Sequence, residues 1–355
     1  MQLNKQRIEW VDIARMLAIT FVVIGHVAPA GNLHTYLYSF HVPSFFFLSG
    51  LFVNTDTTFL KHITKRFKSI MVPYYFFGLA AIFAYLLFGR LVTQKDLLTL
   101  SECLYGLLAA SVKTNCLKFN LHLWFLPVLF VMNILIYPVR YIVQKIESCC
   151  KTDIRLLMCF TTLVSFVISC FAFRFLHLNF FPFGADTAIK LFPFFVAGNT
   201  ASEFKRFMAF TPQKAGGKLL LGFISAVLFA VTAILSKLNE LQTAENFHVN
   251  YTRDYHGNSL LFWTAAICGT AAILTVSRII PPVKPLTYTG AKTLAILVMQ
   301  KFPIMIFNSV IPFTVSTISD GNIAVILAVS LITIVCCLVV NVIIEKLFPF
   351  VYGKT

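Results

Sequence analysis

Residues 7–29 read RIEWVDIARMLAITFVVIGHVAP, and residues 36–52 read YLYSFHVPSFFFLSGLF. The first run has about the ~20 residues that one membrane-spanning helix requires, yet it holds Asp12, Arg15 and His26. The apolar core of a secretory leader carries no such residues, so no cleavable signal is expected. On a helix, Asp12 and Arg15 stand three apart and share a face. Arg15 and His26 stand eleven apart, about three turns and ~16 Å along the axis, so they align as well. The expected result is one polar stripe, Asp12–Arg15–His26, along an otherwise apolar helix. Ionisable groups at membrane depth are costly and point to function. The plainer reading is an interfacial Asp12–Arg15 pair with a snorkelling arginine and a histidine that bonds a neighbouring helix.

The second run adds Tyr38, His41 and Ser49, with Pro43 expected to break the local hydrogen-bond ladder. Such breaks are tolerated where they face protein or a cavity. Histidines on two consecutive, short-linked helices are placed to converge on one cavity. Imidazole is the side chain best suited to move protons near neutral pH.

The rest of the chain has the same character. Of 355 residues, 58% are hydrophobic and only 12% are charged, and 38 are Phe. A soluble domain carries ~25% charged residues, so that class is excluded; disorder is excluded by the same hydrophobicity. Ten spans are expected, at 11–30, 35–53, 70–92, 121–143, 154–176, 185–201, 218–237, 259–280, 291–311 and 322–345. The sixth is short and interrupted by Pro193. The expected fold class is therefore all-α, a polytopic membrane protein forming one transmembrane domain over residues 1–355. The longest loops, 93–120 and 238–258, are expected outside the membrane and are too short to hold a separate catalytic domain.

The net charge of +15 follows the positive-inside rule and implies no nucleic-acid partner. With both termini in the cytoplasm, 19 of the 29 Lys and Arg fall in inner segments and nine at or beyond the outer ends. Nine cysteines, including the pairs Cys149-Cys150 and Cys336-Cys337, show no metal-ligand spacing, and no metal is expected.

These residues also carry a resemblance. The two quoted runs, with Arg15 and His26, Phe40-His41-Val42-Pro43 and Phe47-Leu48-Ser49-Gly50, resemble the opening of the acyltransferase-3 family. The likeness is greatest to its fucose 4-O-acetylase-like branch of integral-membrane sugar O-acetyltransferases. It continues through the basic segment before Pro73-Tyr74 and through Leu123-Trp124-Phe125-Leu126-Pro127. Two positions depart from the family pattern. The paired arginines before Pro-Tyr are Arg66 and Ser69 here, with Lys68 beside them, and the histidine that usually follows the stretch from Gly290 is Gln300.

The resemblance implies transfer of an acyl group, usually acetyl from cytoplasmic acetyl-CoA, to a hydroxyl of a glycan or lipid-linked sugar. The setting it implies is a bacterial inner membrane, with polysaccharide-assembly proteins as possible neighbours. It casts His26, His41 and Arg15 as catalytic, with Asp12 in support. Arg66 and Lys68 would meet the donor phosphates, and Trp124 the acceptor sugar. Two further readings compete: a transporter or flippase without catalysis, and a scaffold whose polar residues only join helices.

Overall fold

The computed structural model describes residues 8–92, 97–111, 117–176, 181–243, 248–251 and 255–352. Lys5, Arg7, Lys95, Lys113, Arg253 and Lys354, which enter the charge count, lie outside them. Apart from one isolated bridge between Asn250 and Tyr255, regular structure among the described residues is helical.

Helix α1 (Glu9–Val27) is the axis of the molecule. Its buried residues, among them Trp10, Ile13, Ala14, Ala18, Ile19 and Val23, lie around its whole circumference. A helix apolar on all sides is stable only when surrounded. The expected second span is a broken helix, α2 (Asn32–Tyr38) and α3 (His41–Gly50), with the interruption at Ser39 and Phe40. Pro43 does not cause the break, contrary to the sequence expectation. It sits in the first turn of α3, where a missing N–H leaves no hydrogen bond unmade.

Then come α4 (Phe59–Arg66), a π-turn at 67–71, and α5 (Val72–Val92). Next are α6 (Leu100–Ala109), α7 (Phe125–Cys150), α8 (Ile154–Phe175), α9 (Ala185–Ser202) and the short α10 (Lys205–Ala209). Helices α11 (Ala215–Leu241) and α12 (Ser259–Val276) pack as a hairpin. A short helix α13 (Lys284–Ala291) leads into the expected ninth span, 291–311, which is broken into α14 (Thr293–Met299) and α15 (Lys301–Ser309). The chain closes with α16 (Pro312–Ser319) and α17 (Ile323–Leu347).

Seven helical stretches among the described residues are long and apolar enough to cross a membrane, and the protein is polytopic. The other three expected spans are the two broken segments and α9, which runs unbroken through Pro193 but carries Asp186 and Lys190. Large apolar side chains stand exposed at helical spacing along α8 (Leu156, Phe160, Leu163, Val167, Phe171) and α11 (Leu219, Phe223, Val227, Ile234). Patches of that extent require an apolar solvent, which lipid supplies.

One loop departs from expectation. Residues 93–120 include α6, which folds back along α5. Leu97 packs at Gly89, Leu107 packs at Gly78, and Tyr74 donates a hydrogen bond to the Leu107 carbonyl at 2.9 Å. A ten-residue apolar helix returning beside its predecessor is re-entrant in form. Its carbonyl end turns through Ala110, held in the left-handed region at φ 49°.

Close backbone approach fixes the central helices. A Cβ on Gly50 of α3 would lie 2.0 Å from the Phe195 carbonyl of α9, and one on Gly198 would lie 2.0 Å from the Phe47 carbonyl. The two helices therefore meet backbone to backbone, the small-residue contact that substitutes for hydrophobic drive inside lipid. Gly290 packs likewise against the Asp12 carbonyl of α1, where a Cβ would be 1.9 Å away.

At the N-terminal end of α1, the Arg278 guanidinium lies 3.8 Å over the Trp10 ring and 4.6 Å from that of Phe207. It donates to the carbonyls of Leu274, Phe207 and Phe210, while Trp10 Nε1 donates to that of Met208. This one cation ties α1, α10 and α12 together. Arg278→Ala takes a donor from each of those carbonyls, Leu274 keeping its bond from Ser277 Oγ, and is expected to cost about 2–4 kcal/mol. In detergent the variant should melt several degrees below the parent, and an unchanged melting temperature would count against the clamp.

Candidate active site

Two cavities occupy opposite ends of the same helices. The first, of about 180 Å³, is lined by His26, His41, His122 and His248 together with Tyr38, Trp124, Asn250 and Tyr251. The second, of about 220 Å³, is lined by Arg15, Arg66, Ser69, Asn133 and Thr293 among apolar neighbours. Phe45, Phe125 and Leu297 line both, so these three side chains form the wall between them.

In the histidine cavity the chain brings together residues far apart in sequence. His26, near the C-terminal end of α1, stacks on His122 with ring centroids 3.9 Å apart and planes within 10°. His41 opens α3, 6.5 Å from His26 by ring centroid. The break before α3 has a chemical consequence. It leaves the Leu37 carbonyl facing His41 Nδ1 at 2.6 Å. A carbonyl only accepts, so Nδ1 carries the proton and Nε2 holds the free lone pair. His26 Nδ1 and His122 Nδ1 are buried and make no hydrogen bond among the described residues.

Tyr38 binds the group together, 4.8 Å from His41 and 6.0 Å from His26 by ring centroid. On its far side it stacks with His34 at 4.0 Å and meets His248 at 5.2 Å. Trp124 lies 6.0 Å from Tyr251, whose hydroxyl donates to the Tyr38 carbonyl at 3.4 Å. Tyr251 is outside the spans, and burial pushes its phenol well above the usual range. It therefore stays protonated at any physiological pH. Gln300 is fully buried and its side chain reaches the His26 imidazole. Lys301 follows Gln300 and opens α15.

The sequence-predicted residues thus divide. His26, His41 and Trp124 share the histidine cavity. Arg15 lies beyond the wall in the basic cavity, 3.9 Å from Asp12 and 4.8 Å over the Phe52 ring. Arg66 joins it there with Ser69, its Nη2 3.5 Å from the Phe52 carbonyl. Lys68 is exposed and lines neither cavity.

Sequence reasoning assigned no role to His34, His122, His248, Tyr251 or Lys301. Only His122 left a signal, two positions before Trp124. Among the described residues, no three His, Cys, Asp or Glu side chains converge to hold a metal ion. His26 and His122 stack face to face, whereas His26 meets His41, and His34 meets His248, edge-on.

A family model described as an acyltransferase domain, Acyl_transf_3, matches residues 8–342. No curated protein and no solved structure matches the chain.

Proposed function

Since this chain belongs to the acyltransferase-3 family and is an acyltransferase of the membrane, we propose that it moves acetyl from acetyl-CoA to a hydroxyl of an envelope or exopolysaccharide sugar. The observation that carries the reading is the pair of cavities on common helices, one cationic and one rich in imidazole, parted by three apolar side chains. A donor bearing several phosphates suits the end with Arg15 and Arg66. That end faces the cytoplasm if the charge bias of the loops sets the orientation. The natural setting is a bacterial inner membrane. The likeness to the fucose 4-O-acetylase-like branch supports a sugar as the acceptor.

The histidine cavity suits an acceptor ring. Among the described residues no Asp, Glu, Lys or Arg lines it, and Trp124, Tyr251 and Tyr38 offer aromatic faces and hydroxyls. An uncharged sugar needs that combination, one apolar face to stack and hydroxyls to bond.

Transfer then proceeds with His41 as base. The acceptor oxygen attacks the thioester carbonyl carbon while its proton passes to His41 Nε2. The Nδ1–H bond to Leu37 holds the tautomer and steadies the imidazolium that forms. The attack gives a tetrahedral intermediate with a developing oxyanion. As that intermediate collapses, the carbon–sulfur bond breaks, the ester bond remains, and the thiolate takes the proton from His41. His26, stacked on His122 and facing Gln300, orients the acceptor hydroxyl.

The test is to compare base-labile acetate on surface glycan from cells with and without the gene. Ester-linked acetate should disappear on deletion and return with the intact gene. Glycan unchanged in acetate, alongside altered export of unmodified glycan, would favour the flippase reading.

A further inference from the structure

The wall between the cavities carries a second consequence, which rests on the donor reading above. Arg15 and His26 are ~16 Å apart along α1, and they lie on opposite sides of Phe45, Phe125 and Leu297. A donor anchored by its phosphates at Arg15 and Arg66 must pass its thioester end through that wall to meet His41. Whatever acyl group it carries travels with it.

The three side chains are not equivalent. Phe125 is held, because Phe46, fully buried, stacks on it at 4.7 Å with planes within 14°. Phe45 meets Phe125 edge-on at 6.0 Å. Phe45 and Leu297 are only part-buried, each facing both cavities. Phe125 is the fixed edge of an opening, and Phe45 with Leu297 form its adjustable edge.

We propose that Phe45 and Leu297, set against Phe125, select the length of the acyl group: the passage admits acetyl and other short acyl groups and excludes medium-length chains. A medium chain on the thioester would have to lie among these rings or in the histidine cavity. That cavity, at about 180 Å³, must also hold the acceptor ring.

The experiment uses the full-length protein in detergent, with host surface glycan, stripped of esters by mild alkali, as acceptor. Release of free CoA thiol is followed with acetyl-CoA, butyryl-CoA and octanoyl-CoA. The parent should use acetyl-CoA at least ten times faster than octanoyl-CoA. Phe45→Ala and Leu297→Ala should each raise the octanoyl-to-acetyl ratio tenfold or more. Phe45→Leu removes less volume, is gentler on the fold, and should move the preference toward butyryl-CoA. Phe171→Ala, on the exposed face of α8, should leave the ratio unchanged. A parent that uses octanoyl-CoA as readily as acetyl-CoA would overturn the proposal, as would wall variants that stay folded with an unmoved ratio. Failure of the parent to release thiol from any of the three would instead overturn the donor reading, and the gate would fall with it.

Discussion

Membranes carrying His41→Ala should transfer acetyl about 10²–10⁴-fold more slowly than the parent, the usual contribution of a positioned general base. The expectation rests on one hydrogen bond. Leu37 and His41 flank the break between α2 and α3, and the Leu37 carbonyl, which also accepts from the Phe40 N–H, accepts a hydrogen bond from His41 Nδ1 at 2.6 Å. That bond leaves Nε2 as the basic nitrogen in a cavity where no carboxylate lines the wall among the described residues. His26→Ala should also be severely impaired, because its ring stacks on His122 and faces His41 and Tyr38. Residues acting as one unit are not additive. The double variant should therefore be about as slow as either single one. Each variant must elute from size exclusion like the parent, so that lost activity is not lost fold. More than a tenth of parental activity in folded His41→Ala would remove His41 as the base. Additive losses would mean that the two histidines serve separate steps.

The first two helical runs made much of this legible, for a physical reason. At membrane depth a charged or polar side chain is expensive, so Asp12, Arg15, His26 and His41 stood out against the apolar background. Helical periodicity then placed three of them on one stripe. It did not reveal that the stripe is cut in two. The wall consists of Phe45, Phe125 and Leu297, three apolar residues in a chain with 38 Phe. Nothing local distinguishes a ring that parts two cavities from one that faces lipid.

His122 and His248 were equally hidden, since each reaches the cavity from a separate connection and depends on tertiary placement. The departure at Gln300 is easier to read in three dimensions. The glutamine faces His26 while a second imidazole, His122, stacks on that same ring from another element. Basic residues misled in the opposite sense. The positive-inside rule puts Lys and Arg on every inner loop, so sequence alone treated Arg66 and Lys68 alike, whereas only Arg66 turns into a cavity.

That difference supplies the sharpest test of the donor side. Arg15→Ala and Arg66→Ala should each raise the KM for acetyl-CoA about ten- to a hundredfold, the worth of one charge-assisted bond to a phosphate. The catalytic rate at saturating donor should change much less, because both side chains lie beyond the wall from the histidines. Lys68→Ala should leave KM near the parental value, since that side chain is exposed and lines neither cavity. Lys214→Ala, in a different basic segment, is the second control.

Salt separates the possible causes. A loose field from many surface cations is screened within ~8 Å at physiological ionic strength, while a pair inside a cavity is screened much less. If bulk charge attracts the donor, all four variants should raise KM alike and the differences should vanish at high salt. If Arg15 and Arg66 hold the phosphates, their two variants should stay impaired in high salt while the controls follow the parent. Equal effects from Lys68→Ala and Arg66→Ala would sink the assignment of the basic cavity to the donor. The acyl group would then need another route to His41, and the wall of Phe45, Phe125 and Leu297 would have no donor to gate.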